Sequence, residues 1–112
     1  MPELPFPLPN PGWDSRVCAF RCAEVVTVFA VLTRRWTVLV DTLYSEAGAR
    51  ELARLAQQAA ALRHGGTPPP LLVVNTHADW DHAWGNGVFI GPAATFPAPV
   101  LATRACARRL RS

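Results

Sequence analysis

LLVVNTHADWDHAWGN, Leu71 to Asn86, is the stretch on which the reading of this chain turns. Four apolar residues, Leu71 to Val74, give way to HADWDH, His77 to His82. The chain holds three histidines and four aspartates, and His77, Asp79, Asp81 and His82 place two of each inside six residues. A short, wholly apolar run bounded by turn residues predicts a strand over 71–75 buried on both faces, as in an α/β layer. The loop just beyond the carboxyl end of such a strand is a favoured position for active-site residues.

Working upstream, the apolar residues Leu52, Leu55, Ala56, Ala59 and Leu62 recur at helical spacing and predict a helix over 46–63. Ser45 can cap its start, and Glu46 sits where the helix dipole favours an anion. Arg63 and His64 fall in the last turn, Gly65 offers a left-handed stop, and Pro68 to Pro70 forbid continuation. His64 thus has a structural role and is a poor ligand candidate. Before the helix, the valine-rich run Glu24 to Thr33 and WTVLVD, Trp36 to Asp41, flank a short polar break and predict an antiparallel hairpin. A further short strand is predicted from Val17 to Phe20. Downstream come a glycine-rich turn at Gly85 and Gly87, an apolar patch from Val88 to Ile90, a strand at Val100 to Ala102, and a helix from Thr103. Residues 1–16 form a proline-rich leader, expected to lie along the surface outside any regular ladder, and 17–112 form the domain. The predicted fold class is α/β, a mixed sheet with flanking helices.

Composition narrows the function classes. Half of the 112 residues are hydrophobic, enough for a core, and the net charge is a modest +3. All eleven cations are arginines, four of them at Arg104, Arg108, Arg109 and Arg111. Arginines neutralise phosphates, but no aromatic residue is interleaved to stack on bases, so a solvated terminal helix is the better reading and nucleic acid is disfavoured as a partner. Cys18, Cys22 and Cys106 are an odd set without a second C-x3-C pair. They read as reduced thiols and point to a cytoplasmic protein. VVTVFAVL is too short to span a bilayer, which needs about 20 residues, so no membrane partner is expected.

His77 and Asp79 are two apart, so in extended chain their side chains leave on one side. Asp81 and His82 follow a bend and can point at the same space. Imidazole with carboxylate suits Zn²⁺, Fe²⁺ or Mn²⁺ better than Ca²⁺, which prefers an all-oxygen shell. Taken singly, Asp81 could instead cap a helix and His82 could be a surface residue. Trp80 and Trp84 read either as packing or as walls facing a substrate.

NTHADWDHAWGN resembles the metal loop of the metallo-β-lactamase-fold hydrolases, His-x-His-x-Asp-His after a strand ending in Thr. His77 matches the first histidine, Asp81 the aspartate and His82 the last histidine. The hairpin ending in Asp41-Thr42 resembles that family's Asp-Thr-Gly. Two positions depart: Asp79 replaces the second histidine, and Leu43 stands where the family has glycine. A carboxylate at the middle position is similar to the His-x-Glu-x-Asp-His of the flavin-linked di-iron branch. The resemblance implies the N-terminal portion of an αββα sandwich. It also implies a metal-activated hydroxide attacking an ester, thioester, amide or phosphodiester of a small-molecule substrate. His77 and Asp79 would serve one ion and Asp81 and His82 a second, Zn²⁺ by default, with Asp79 shifting the preference towards Fe or Mn. Asp81 would also orient the attacking oxygen, and Asp41 would be an outer support for the ligands.

The family draws further ligands from later in the chain, whereas no histidine and no acidic residue follows His82 here. Either a second copy or a C-terminal half would complete the site. The competing readings are a truncated, non-catalytic metal-binding remnant and, behind it, an arginine-rich nucleic-acid module.

Overall fold

The computed structural model describes residues 3–24, 26–76 and 84–111, the last stretch without the side chains of 84, 110 and 111. Six strands form one sheet in chain order: β1 (Phe6–Leu8), β2 (Val17–Cys22), β3 (Val26–Leu32), β4 (Thr37–Val40), β5 (Leu71–Asn75) and β6 (Val100–Ala102). The first four pair antiparallel, with Val31 opposite Val38 and Phe29 opposite Val40 across the β3–β4 hairpin. From β4 the chain crosses over through α1 (Glu46–His64) and returns as β5, parallel to β4, and β6 is again parallel to β5. A parallel return needs a crossover of a dozen or more residues, which is why the helical stretch lies between these two strands.

Local chemistry accounts for the ends of α1. The Ser45 side chain accepts a hydrogen bond from Gly48 N, Glu46 occupies the first turn, and Gly65 turns left-handed at φ 74°. The helix lays Ala49, Leu52, Ala53 and Ala56 on the sheet, against Val28, Ala30, Leu39, Leu71 and Val73. Alternation along each strand follows from the two-residue period of the pleat. In β3, Val26, Val28, Ala30 and Leu32 are buried, while Thr27, Phe29 and Val31 are only half-buried.

Three expectations change in the structure. The leader does join the sheet: Phe6 to Leu8 pair with Arg21 to Ala19 as an edge strand. Proline is admissible there because one side of an edge strand needs no ladder donor. The valine-rich strand starts at Val26 rather than Glu24, after a turn in which Ala23 adopts φ 54°. Finally, among the described residues β5 is fully covered on one face, not two. Leu71 and Val73 are buried under α1, but Leu72 and Val74 are half-exposed. Together with Phe29, Val31, Val38 and Val40 they give the sheet a second apolar face, which the described residues leave half-covered. The predicted terminal helix is present as α2 (Arg104–Arg111), capped by the Thr103 hydroxyl, which accepts from Cys106 N at 3.1 Å.

Candidate functional site

The edge of the sheet where β4 and β5 both end carries the buried polar residues Asp41, Thr42 and Asn75. Burying such groups is costly unless they are hydrogen-bonded, so their partners are informative. The Asp41 carboxylate is 3% exposed and grips Thr76 twice. Its Oδ1 accepts from the Thr76 backbone N at 2.8 Å, and its Oδ2 accepts from Thr76 Oγ1 at 2.6 Å. Its own backbone N–H donates to Val74 O at 2.8 Å and extends the parallel pairing by one residue. Charge-assisted bonds of this kind are the stronger class. The last residue before His77 is thereby fixed to the end of β4.

The turn after β4 is conformationally expensive. Asp41 and Leu43 have φ of 71° and 68°. For non-glycine residues this left-handed region costs about 1–2 kcal/mol each. Leu43, in the position of the family's glycine, offsets that cost by burying its whole side chain in the core. Its carbonyl accepts from Gly85 N at 3.1 Å. Gly85 lies so close that a Cβ built on it would be 2.0 Å from Thr42 O and 2.7 Å from the Ala49 Cβ. Only glycine fits at this approach, because the obstacle is backbone.

Beside it, Thr42, Asn75 and Asn86 form a hydrogen-bonded trio. Thr42 Oγ1 donates to Asn86 Oδ1 at 2.8 Å, Asn86 Nδ2 donates to Asn75 Oδ1 at 2.8 Å, and Asn75 Nδ2 donates back to Asn86 Oδ1 at 3.3 Å. Trp84 to Val88 form a short 3-10 helix where a glycine-rich turn was expected.

His77, Asp79, Asp81 and His82 lie outside the described residues, as does Trp80. Among the described residues no three His, Cys, Asp or Glu side chains come together. His64 ends α1 and is exposed, as its structural reading requires. Asn75 and Asn86 were given no role from the sequence, while Thr42, Thr76 and Gly85 entered only as parts of the family match and of a turn, with no partner assigned. The available signal was their placement, since they bracket HADWDH on both sides and follow the Asp41 turn. The donor set itself, two imidazoles and two carboxylates in six residues, fits a borderline divalent cation. It would be carried on a stem that Asp41 anchors.

Elsewhere, a groove of about 530 Å³ runs between the second half of α1 and β1–β2, lined by residues including Trp13, Cys18, Phe20, Leu55 and Leu62. It is nearly all apolar, and burial pushes the Cys18 thiol above its usual pKa. Tyr44 is pushed up to about 12, chiefly by its hydrogen bond with the Cys22 thiol. All three cysteines are free thiols. Among the described residues no helix is long and apolar enough to cross a membrane.

The fold recurs in solved structures. The metallo-β-lactamase of Hirschia baltica superposes with a TM-score of 0.67 at 17% identity, over 99% of this chain and 48% of that one. The DIM-1 metallo-β-lactamase gives 0.67 at 16% identity, over 96% and 46%. A HARLDQ-motif mutant of the Cronobacter sakazakii metallo-β-lactamase gives 0.58 at 22% identity, over 96% and 37%. The chain thus spans half or less of the length of these structures. No curated protein matches its sequence. A family model does match: that of the metallo-beta-lactamase superfamily, over residues 23–95, which include the hairpin, α1, β5 and the HADWDH loop. By sequence model and by fold, the chain belongs to the metallo-β-lactamase superfamily.

Proposed function

We propose that this chain carries the first ligand cluster of a metal-dependent hydrolase acting on a small ester, thioester, amide or phosphodiester. The observation that carries the reading is the pair of hydrogen bonds that the Asp41 carboxylate accepts from Thr76, which fixes the residue from which HADWDH departs. His77 and Asp79 would hold one cation and Asp81 and His82 the other, Zn²⁺ or, given the carboxylate at Asp79, Fe or Mn. When bound, such a cation supplies a water whose pKa falls from 15.7 to about 7, a nucleophile at neutral pH. Asp81 would accept a hydrogen bond from the attacking water and aim it. Asp41 fixes the backbone from which the ligands depart, the kind of outer support that usually accompanies ligating imidazoles.

Four donors shared between two ions give two each, whereas a catalytic zinc commonly has three protein ligands and an open position. The reading therefore requires further donors, from a second copy or from an additional polypeptide segment. The 112-residue chain alone is expected to bind Zn²⁺ or Fe²⁺ weakly and to turn over little of a generic ester or phosphodiester. Adding a segment that supplies the missing donors should raise chelator-sensitive turnover, and His82→Ala should then abolish it. Robust chelator-sensitive turnover by the monomeric chain would overturn the count of donors. Metal affinity unchanged in His77→Ala and His82→Ala would overturn the site.

A further inference from the structure

We infer that Thr42, Asn75 and Asn86 are positioning residues: a clamp that closes the stem of the HADWDH loop and sets the separation of its two ends. This rests on the ligand assignment above for its use, though not for its existence. Asn75 is the last residue of β5, and Asn86 lies eleven positions later, beyond the loop. Their amides pair reciprocally, at 2.8 and 3.3 Å, so both donor and acceptor of each side chain are engaged across the stem. Thr42 adds a third bond to Asn86 from the Asp41 turn, 44 residues away in sequence. Thr42 and Asn75 are 0% and 2% exposed, and no buried side-chain polar atom among the described residues lacks a partner.

The chemistry needs this arrangement for a specific reason. Closing a loop of about ten residues carries an entropic cost of order (3/2)RT ln n, and a metal that must itself bring the ends together binds correspondingly less tightly. A clamp satisfied before the metal arrives removes that burden. A buried amide pair is also directional, since a one-residue slip of either strand end would leave polar groups unpaired. Asp41 holds one end of the stem through Thr76, and the clamp holds the two ends to each other.

The test uses the metal-free chain and the chain with Zn²⁺, in three variants. Thr42→Val removes the hydroxyl and keeps the shape, and Thr42→Ser restores the hydroxyl. Thr37→Val deletes an equally buried hydroxyl, bonded to Pro69 O at 2.9 Å at the opposite end of β4, and serves as the control for general destabilisation. Hydrogen exchange of the metal-free chain should show about ten-fold faster exchange at the Thr76 and Gly85 amides in Thr42→Val. Thr42→Ser should recover most of the protection, and Thr37→Val should leave those two amides unchanged relative to global exchange. Zn²⁺ affinity, read by competition with a chromophoric chelator, should fall about ten-fold or more in Thr42→Val, the range expected for outer support of a metal ligand set. Unaltered stem exchange in Thr42→Val, or equal loss in Thr37→Val, overturns the clamp whatever the metal does. Altered stem exchange with no Zn²⁺ binding by the unsubstituted chain leaves the clamp standing and overturns the ligand assignment instead.

Discussion

Gly85→Ala tests the close approach between the Asp41 turn and the returning end of the loop. The added methyl would lie 2.0 Å from Thr42 O, 3.0 Å from the Thr42 carbonyl carbon and 2.7 Å from the Ala49 Cβ. Contact at about 3.4 Å is tolerable, so the two backbones must part by more than 1 Å. No rotamer relieves this, because two of the three obstacles belong to the Thr42 peptide. Overpacking of this kind costs about 1–3 kcal/mol. Parting also stretches the 3.1 Å bond from Gly85 N to Leu43 O and the 2.8 Å bond from Thr42 to Asn86, each worth about 0.5–1.5 kcal/mol. The expected loss is therefore about 2–6 kcal/mol, a large part of a small domain's stability. Gly87→Ala is the matched control, since its methyl would meet only Glu46 Oε1, at an ordinary 3.6 Å. Urea unfolding followed by far-ultraviolet circular dichroism, with the slope held common, gives both values. If Gly85→Ala lies within about 0.5 kcal/mol of Gly87→Ala, the approach of the two segments is not as tight as the geometry requires.

Leu43→Gly should relieve left-handed strain of about 1–2 kcal/mol but forfeit a fully buried leucine side chain, which costs about 2–5 kcal/mol on truncation. Net destabilisation of about 0–4 kcal/mol follows, centred near 2, and a stabilised variant in thermal unfolding would show that the leucine adds nothing to the core. The Glu51 carboxyl is held below its usual pKa of 4.5 by its hydrogen bonds with Arg54 at 2.6 and 2.8 Å. A carboxylate with a depressed folded-state pKa contributes stability above its unfolded pKa and loses it as pH falls through the folded one. Glu51→Gln should thus cost at most about 0.5 kcal/mol at pH 7, because the pair is partly exposed and screened. The two proteins should converge in urea midpoint as the pH is lowered below 4.5. A difference that persists unchanged into acid would assign the effect to packing.

What is legible in the residues and what is not divide along sequence distance. The capped helix at Glu46–His64, the β3–β4 hairpin and the strand at Leu71–Asn75 were all legible, because each is signalled by neighbours within one or two turns. Ser45, Gly65 and the prolines mark their boundaries through backbone geometry alone. The HADWDH motif, set after a buried strand, likewise pointed to the family, since its six residues are contiguous in sequence.

What tertiary structure alone decided are the partnerships across 35 and 44 residues: Asp41 with Thr76, and Thr42 with Asn86. No periodicity encodes them, because they exist only once the α1 crossover has laid β5 parallel to β4 and brought both strand ends to one edge. The requirement for glycine at position 85 is of the same kind, since the atom that forbids a side chain belongs to Thr42. So is the pairing of the proline-bearing leader. Propensity argued against Phe6–Leu8 as a strand, and the free edge of β2, which asks for a partner on one side only, overrode it.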